Sequence, residues 1–302
     1  MSGVERAHTS GRQRRWYLGV DAGATRCRVR LRDALGAVSA EAEGPAANAY
    51  VDFAGAVKVA RETVMSALAR EAQIDTSCVR VVLGVAGIGS RAEAQRFAAL
   101  LPGFASIEVV NDAVAACVGA HAGRDGGLIV VGTGSAGVAS VGGLHTIVGG
   151  RGFHLGDDGS AARLGLEAAR ATARAADGLG PQTRLTEQIH AQFDNDALAM
   201  VTWAAKATPG EFGAFAPLVL EAARAGDAAG LRLVAEASAA VTALVQRVEA
   251  LGASRVAMVG GLGEALRPFL DAGVSARLKA PLFDPTDGAI LLAGGVVEET
   301  PA

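Results

Sequence analysis

The stretch that most constrains this chain is YLGVDAGATRCRVRLR, residues Tyr17–Arg32. An apolar run ends in Asp21, a turn carries Gly23 and Thr25, and a strictly alternating segment follows. Cys27, Val29 and Leu31 fall on one face and Arg26, Arg28, Arg30 and Arg32 on the other. A period of two predicts a half-buried strand. The four arginines alternate along one strand, which predicts a solvated face. Two readings of the turn stand side by side. Exposed backbone N–H groups beside a hydroxyl can cradle a phosphate. Asp21 would then hold a hydrated magnesium ion, a hard cation that prefers oxygen and keeps several waters. Alternatively, the stretch is a glycine hairpin whose aspartate caps the turn.

The pattern continues as a meander and then restarts. Val38–Glu43 reads as a third strand, and Gly44–Tyr50, which contains Asn48, as a loop rich in breakers. Val57, Ala60, Val64 and Leu68 recur at helical spacing. Val79–Val85 is a continuous apolar run, as in a strand buried on both faces. Ser90 is placed to cap a helix carrying Ala94, Phe97 and Leu101. Ile107–Val110 is another strand, leading through Asn111–Asp112 into a helix over Ala113–His121. Gly127–Val131 then opens a second meander, with a glycine turn at Gly132–Ser135, a strand at Gly137–Val141, a hairpin turn at Gly142–Gly143 and a strand at His145–Val148. This is a topological duplication, with a boundary near Ala120–Gly126.

The second half is rich in helices. One is expected from near Asp158 to about Ala176, several more over Thr183–Arg224, and a long one over Ala228–Leu251 with an apolar stripe. Arg255–Val259 reads as a strand, Gly260–Gly263 as a glycine turn, and Asp287–Val296 as a last helix that packs back onto one of the sheets. A formal charge of −3 gives no electrostatic case for a nucleic-acid or anionic-membrane partner. Cys27, Cys78 and Cys117 form no CxxC pair, which argues against a disulfide framework or structural zinc and fits a reducing cytoplasm. Residues 1–15 are polar and basic and read as a disordered tail. No run of about eighteen strongly apolar residues occurs, so no membrane span is expected.

Four glycine-flanked sites end strands: Asp21–Thr25, Asn111–Asp112, Gly132–Ser135 and Gly260–Gly263. Ligands bind beyond strand ends in α/β folds, and two phosphate-type turns from the two halves suggest a nucleotide. Asp112 is the candidate general base, able to accept the proton of a hydroxyl that attacks a γ-phosphoryl group; its competing role is helix N-cap. In GGRGFHLGDDGS, Gly149–Ser160, the paired carboxylates Asp157 and Asp158 suit sugar hydroxyls, or one of them caps the next helix. His154 has no second histidine at metal-ligand spacing, and a structural role is expected.

YLGVDAGATRCRVRL, GPAANAY, VVNDAVAACVGAH, GRDGGLIVVGTGSAG, GGRGFHLGDDGSAARLGLEA and VAMVGGLGEALRP together resemble the sugar kinase/Hsp70/actin superfamily. Within it the chain is similar to the glucosamine and N-acetylglucosamine kinases, grouped with the benzoyl-CoA reductase-type ATPases. The resemblance implies two ribonuclease-H-like (actin-like ATPase) α/β domains, residues 16–120 and 121–285, with extra helices in the second and residues 286–297 returning to the first. It implies that they close over ATP and an amino sugar in a cytoplasmic homodimer. Asp21 would organise Mg2+ through water. Gly23, Thr25, Gly132, Thr133 and Gly134 would meet the phosphates, and Gly260 and Gly261 the adenosine. Asp112 would be the base on the sugar 6-hydroxyl, with Asn48, Ser135, Gly152 and Asp157 lining the sugar.

Two departures stand out. Alanine occupies positions 22 and 24, where the first motif usually has glycine; this is tolerable if φ stays negative. Arg151 stands where the family commonly has tryptophan beside the sugar, exchanging an aromatic wall for a cation. The expected reaction is ATP-dependent phosphorylation of an amino sugar, glucosamine before N-acetylglucosamine. An ATPase activator of a radical dehydratase would need cysteines at a subunit interface. A sugar-responsive repressor would need a DNA-binding module larger than the leader.

Overall fold

The computed structural model describes residues 15–71, 74–101 and 103–298, so the tail expected at residues 1–15 lies outside the described residues except for Arg15. The chain divides into two compact units: residues up to 115 with those from 285 onward, and residues 116–284.

In the first unit, β1 (Trp16–Ala22), β2 (Cys27–Asp33) and β3 (Val38–Gly44) form an antiparallel meander. It is followed by α1 (Phe53–Leu68), β4 (Val79–Val85), α2 (Arg91–Ala99), β5 (Ser106–Asn111) and the start of α3 (Asp112–Ala120), whose residues from 116 onward belong to the second unit. The five strands make one sheet in the order β3-β2-β1-β4-β5, with β1, β4 and β5 parallel. Asp52 caps α1, and Ser90 with Glu93 forms a reciprocal capping box on α2. Leu18, Val20, Cys27, Val29 and Leu31 join the α1 and α2 side chains in one apolar core.

The second unit repeats the plan. β6 (Gly126–Val131), β7 (Ser135–Val141) and β8 (Leu144–Gly149) form a meander whose second turn, Gly142–Gly143, has positive φ at both residues, as a two-residue hairpin loop requires. Then come α4 (Ala161–Ala176), α5 (Arg184–Ala191), α6 (Ala197–Ala204), α7 (Pro209–Gly213), α8 (Ala216–Arg224) and α9 (Ala228–Ala250). β9 (Val256–Val259), α10 (Gly261–Leu266), α11 (Ala272–Arg277) and the two-residue β10 (Leu278–Lys279) close the unit. Its sheet runs β10-β9-β6-β7-β8, with β6, β9 and β10 parallel. α9 is long and apolar enough by length and composition to cross a membrane, but Leu233, Val234, Val241, Val245 and Val248 are buried in this unit's core.

The chain then returns to the first unit as α12 (Pro285–Leu292), which starts two residues before the expected Asp287 and ends four before Val296. Ala289, Ile290 and Ala293 pack on Tyr17 and Val82. This helix overturns the reading of the arginine face. The alternation is as expected, but the face is covered rather than solvated. Arg32 is 8% exposed and Asp287 5%. Arg32 Nε and Nη2 donate to the Asp287 carboxylate at 3.0 and 3.1 Å. Arg30 Nη1 lies 2.7 Å from Asp287 Oδ2, and its Nε donates to Glu41 at 2.6 Å. Of the four, Arg26 alone is exposed.

Candidate active site

The first unit gathers its polar groups at the ends of adjacent parallel strands. Asp21 is the penultimate residue of β1, beside Gly84 of β4, and Asp112 follows β5 directly. Asn111, not Asp112, ties the start of α3. Its Oδ1 accepts from Ala113 N–H at 3.0 Å, and its Nδ2 donates to the Ile88 carbonyl at 2.9 Å. The capping role weighed for Asp112 therefore falls to its neighbour. Burial, with the Asp21 charge adding to it, pushes the Asp112 carboxyl up to about 6 against the pull of nearby amides.

Asp21 Oδ2 accepts from Arg28 Nη2 at 2.7 Å, across the β1–β2 pair. Oδ1 lies toward Gly23. A single carboxylate with one oxygen so placed fits a magnesium ion held through its waters, not an all-protein cage. No group of three or more His, Cys, Asp or Glu that could hold a metal occurs among the described residues. Gly23 N–H donates to Arg26 O and Gly23 O accepts from Ala47 N–H, tying the turn to the Asn48 loop. Neither Ala22 nor Ala24 has positive φ, so alanine is accommodated at both positions. Thr25 is exposed. Asn48 Oδ1 accepts from Tyr50 N–H at 3.0 Å, and the Tyr50 ring beside it is 87% exposed. Sequence reasoning passed over Tyr50, although an aromatic residue in a polar loop is a visible signal.

In the second unit the turn Gly132–Ser135 meets the start of α4. Ala161 N–H donates to Gly132 O at 2.9 Å and Ala162 N–H to Thr133 O at 3.2 Å. Thr133 itself is exposed. Helix α4 is capped by Ser160, whose Oγ accepts from Arg163 N–H at 3.2 Å, so it starts three residues after Asp158 and neither aspartate caps it.

Asp157 is held at φ 57° with its carboxylate against Gly134 and Ser135 N–H. Burial, with Asp158 next to it, raises its pKa. A non-glycine residue in the left-handed region is a place where backbone strain accompanies a side chain. Asp158 is exposed; its carbonyl accepts from Ser135 Oγ at 2.8 Å. Arg151, Gly152 and His154 are exposed in the same loop, and the His154 ring meets Phe153 edge-on.

Gly260, at φ 104°, sits where a Cβ would collide with the Val131 carbonyl, so only glycine fits. Gly261 opens α10 onto a cavity of about 380 Å³ lined also by Ala161, Gly213, Ala216, Pro217 and Leu220. A largely apolar cleft of this size suits a heterocyclic base. The α7–α8 residues in it were not singled out from the sequence; the Gly213 and Pro217 breaks were its only trace.

The sequence model described as the BadF/BadG/BcrA/BcrD ATPase family matches residues 18–293. Glucosamine kinase GspK of Vibrio cholerae serotype O1 is 32% identical over 285 residues, which cover 92% of this chain and 96% of the relative. A crystal structure from Chromobacterium violaceum, provisionally described as an N-acetylglucosamine kinase, superposes with a TM-score of 0.83 at 35% identity, covering 92% of this chain and 99% of the other. Another so described, from Porphyromonas gingivalis, has a TM-score of 0.66 at 21% identity over 92% and 97% of the two chains, and shares the fold.

Proposed function

The chain belongs to the BadF/BadG/BcrA/BcrD ATPase family and is a sugar kinase, and from that premise we propose that it transfers the γ-phosphoryl group of ATP to the 6-hydroxyl of an amino sugar, glucosamine before N-acetylglucosamine. The observation that carries the reading is Asp112: a half-buried carboxylate, relieved of capping by Asn111, at the end of β5 and near enough to Asp21 for that charge to act on it. It accepts the hydroxyl proton as that oxygen attacks phosphorus. With a pKa near 6 it is ionised at neutral pH and close enough in basicity to share the proton during transfer.

In the first unit, Gly23 and Thr25 meet the phosphates and Asn48 the sugar. In the second, Gly132, Thr133 and Gly134 meet the phosphates, Gly260 and Gly261 the adenosine, and Ser135, Gly152 and Asp157 the sugar. Asp21 is the residue that would hold magnesium, and the ion, when bound, would supply charge neutralisation at the phosphates. Cys27 and Cys117 are buried, which gives the radical-dehydratase activator no support from them. Arg151 is exposed in the sugar loop, where a cation in place of an aromatic wall bears on which sugar is preferred.

ADP release by purified protein with glucosamine, N-acetylglucosamine, glucose and N-acetylmuramic acid tests the reading. Stimulation by an amino sugar that is lost on chelating magnesium is the expected result; no stimulation by any of the four overturns it. Arg151→Trp is expected to shift the order of sugars, and an unchanged order removes Arg151 from the site.

A further inference from the structure

The loop between β8 and α4 carries Arg151, Gly152 and Asp157, yet Arg151, Gly152, His154, Leu155 and Asp158 are all exposed. Phe153 is the side chain of this run that packs into the unit's core. Its ring stacks on Phe212 at a centroid distance of 5.5 Å and an interplanar angle of 26°. Phe212 is itself closely packed. Its ring meets Trp203 edge-on at 4.9 Å, and its carbonyl lies so close over Gly165 of α4 that any Cβ there would collide. The next residue, Gly213, lines the cavity beside Gly261.

One stacked pair thus joins the loop offered to the sugar and the wall offered to the nucleotide base. Resting on the sugar-kinase reading, we propose that Phe153 is a positioning residue that couples these two places, so that nucleotide in the cavity orders the loop and each substrate tightens the other. The physical warrant is that aromatic pairs have a preferred geometry and buried side chains have no slack. A wall displaced at Gly213 moves Phe212, and Phe153 follows or loses its contact. Spatial continuity alone does not demonstrate coupling, so the test measures the coupling itself.

Titration calorimetry with a non-hydrolysable ATP analogue, with and without glucosamine, reads the coupling. In the wild type each ligand raises the affinity of the other by the same factor, about 5-fold or more. In Phe153→Leu that factor falls to about 1 while each ligand alone binds as before, and the KM of each substrate, measured with the other saturating, rises with little change in kcat; Phe153→Tyr, which keeps the ring, restores both the factor and the KM values. Retention of the wild-type factor by Phe153→Leu overturns the proposal. Should that variant fold poorly, hydrogen exchange on the wild type decides: the analogue alone must slow exchange in residues 150–160, and no slowing overturns the coupling. These results are separable from failure of the functional reading, which shows as a wild type that phosphorylates no sugar.

Discussion

At the scale of single residues, Asp112 makes a double demand. Burial raises its pKa to about 6, so the native state holds a proton more tightly than the unfolded chain, whose carboxylate titrates near 3.8. The stability this contributes is fully present below 3.8 and is lost as pH rises through about 6. As the proposed base, Asp112 is asked for the opposite, because only the ionised form accepts a proton. Asp112→Asn is therefore expected to lower kcat by about 100-fold or more while raising the melting temperature at pH 7.5 by a few degrees, read by steady-state kinetics and a thermal melt. In the wild type, kcat/KM should fall as pH drops below about 6. Asp157 shows a related tension, since its left-handed backbone is carried by a residue that glycine would replace with less strain. Asp157→Asn tolerates the same backbone without the charge, and a raised sugar KM with an unchanged melting temperature is the expected signature.

The elements explain what was legible and what was not. Both meanders, the buried strands and the long helix could be read because each rests on local periodicity and glycine turns. The start of α4 was misread because two aspartates precede the serine that caps it; Ser160→Ala is expected to cost about 1 kcal/mol in denaturant unfolding. The arginine face was misread for a different reason: its alternation is local, but its partner is 255 positions away at Asp287. No window of sequence contains both. Asp287→Asn leaves two largely buried guanidinium groups without their shared carboxylate, and a loss of about 3 kcal/mol in chemical denaturation is expected. The cavity beside Gly261 was illegible in the same way, since α4, α7, α8 and α10 meet only in three dimensions.

For the molecule as a whole, acid acts through opposing groups. His121 is buried, with Nε2 on the Gly127 carbonyl at 2.8 Å and Nδ1 facing Arg255 Nη1 at 2.8 Å, so it sits as the neutral ring with Nε2–H donating and Nδ1 accepting. Burial, with Arg255 and Arg124 adding to it, lowers its pKa below the usual 6.5. The stability it contributes is present above 6.5 and is lost as pH falls below that value, whereas Asp112 gains over the range below about 6. A melting-temperature profile against pH should consequently drop more steeply on the acid side in Asp112→Asn than in the wild type.

The return of α12 also sets an order in time. The second unit is one unbroken segment, complete once residue 284 has been made, while β1, the central strand of the first unit, waits for a cover that is synthesised after the whole of the second unit. On the ribosome, then, the unit that begins before the other is completed after it. Until α12 emerges, Tyr17, Val82 and the arginines of β2 are left to water or to chaperones.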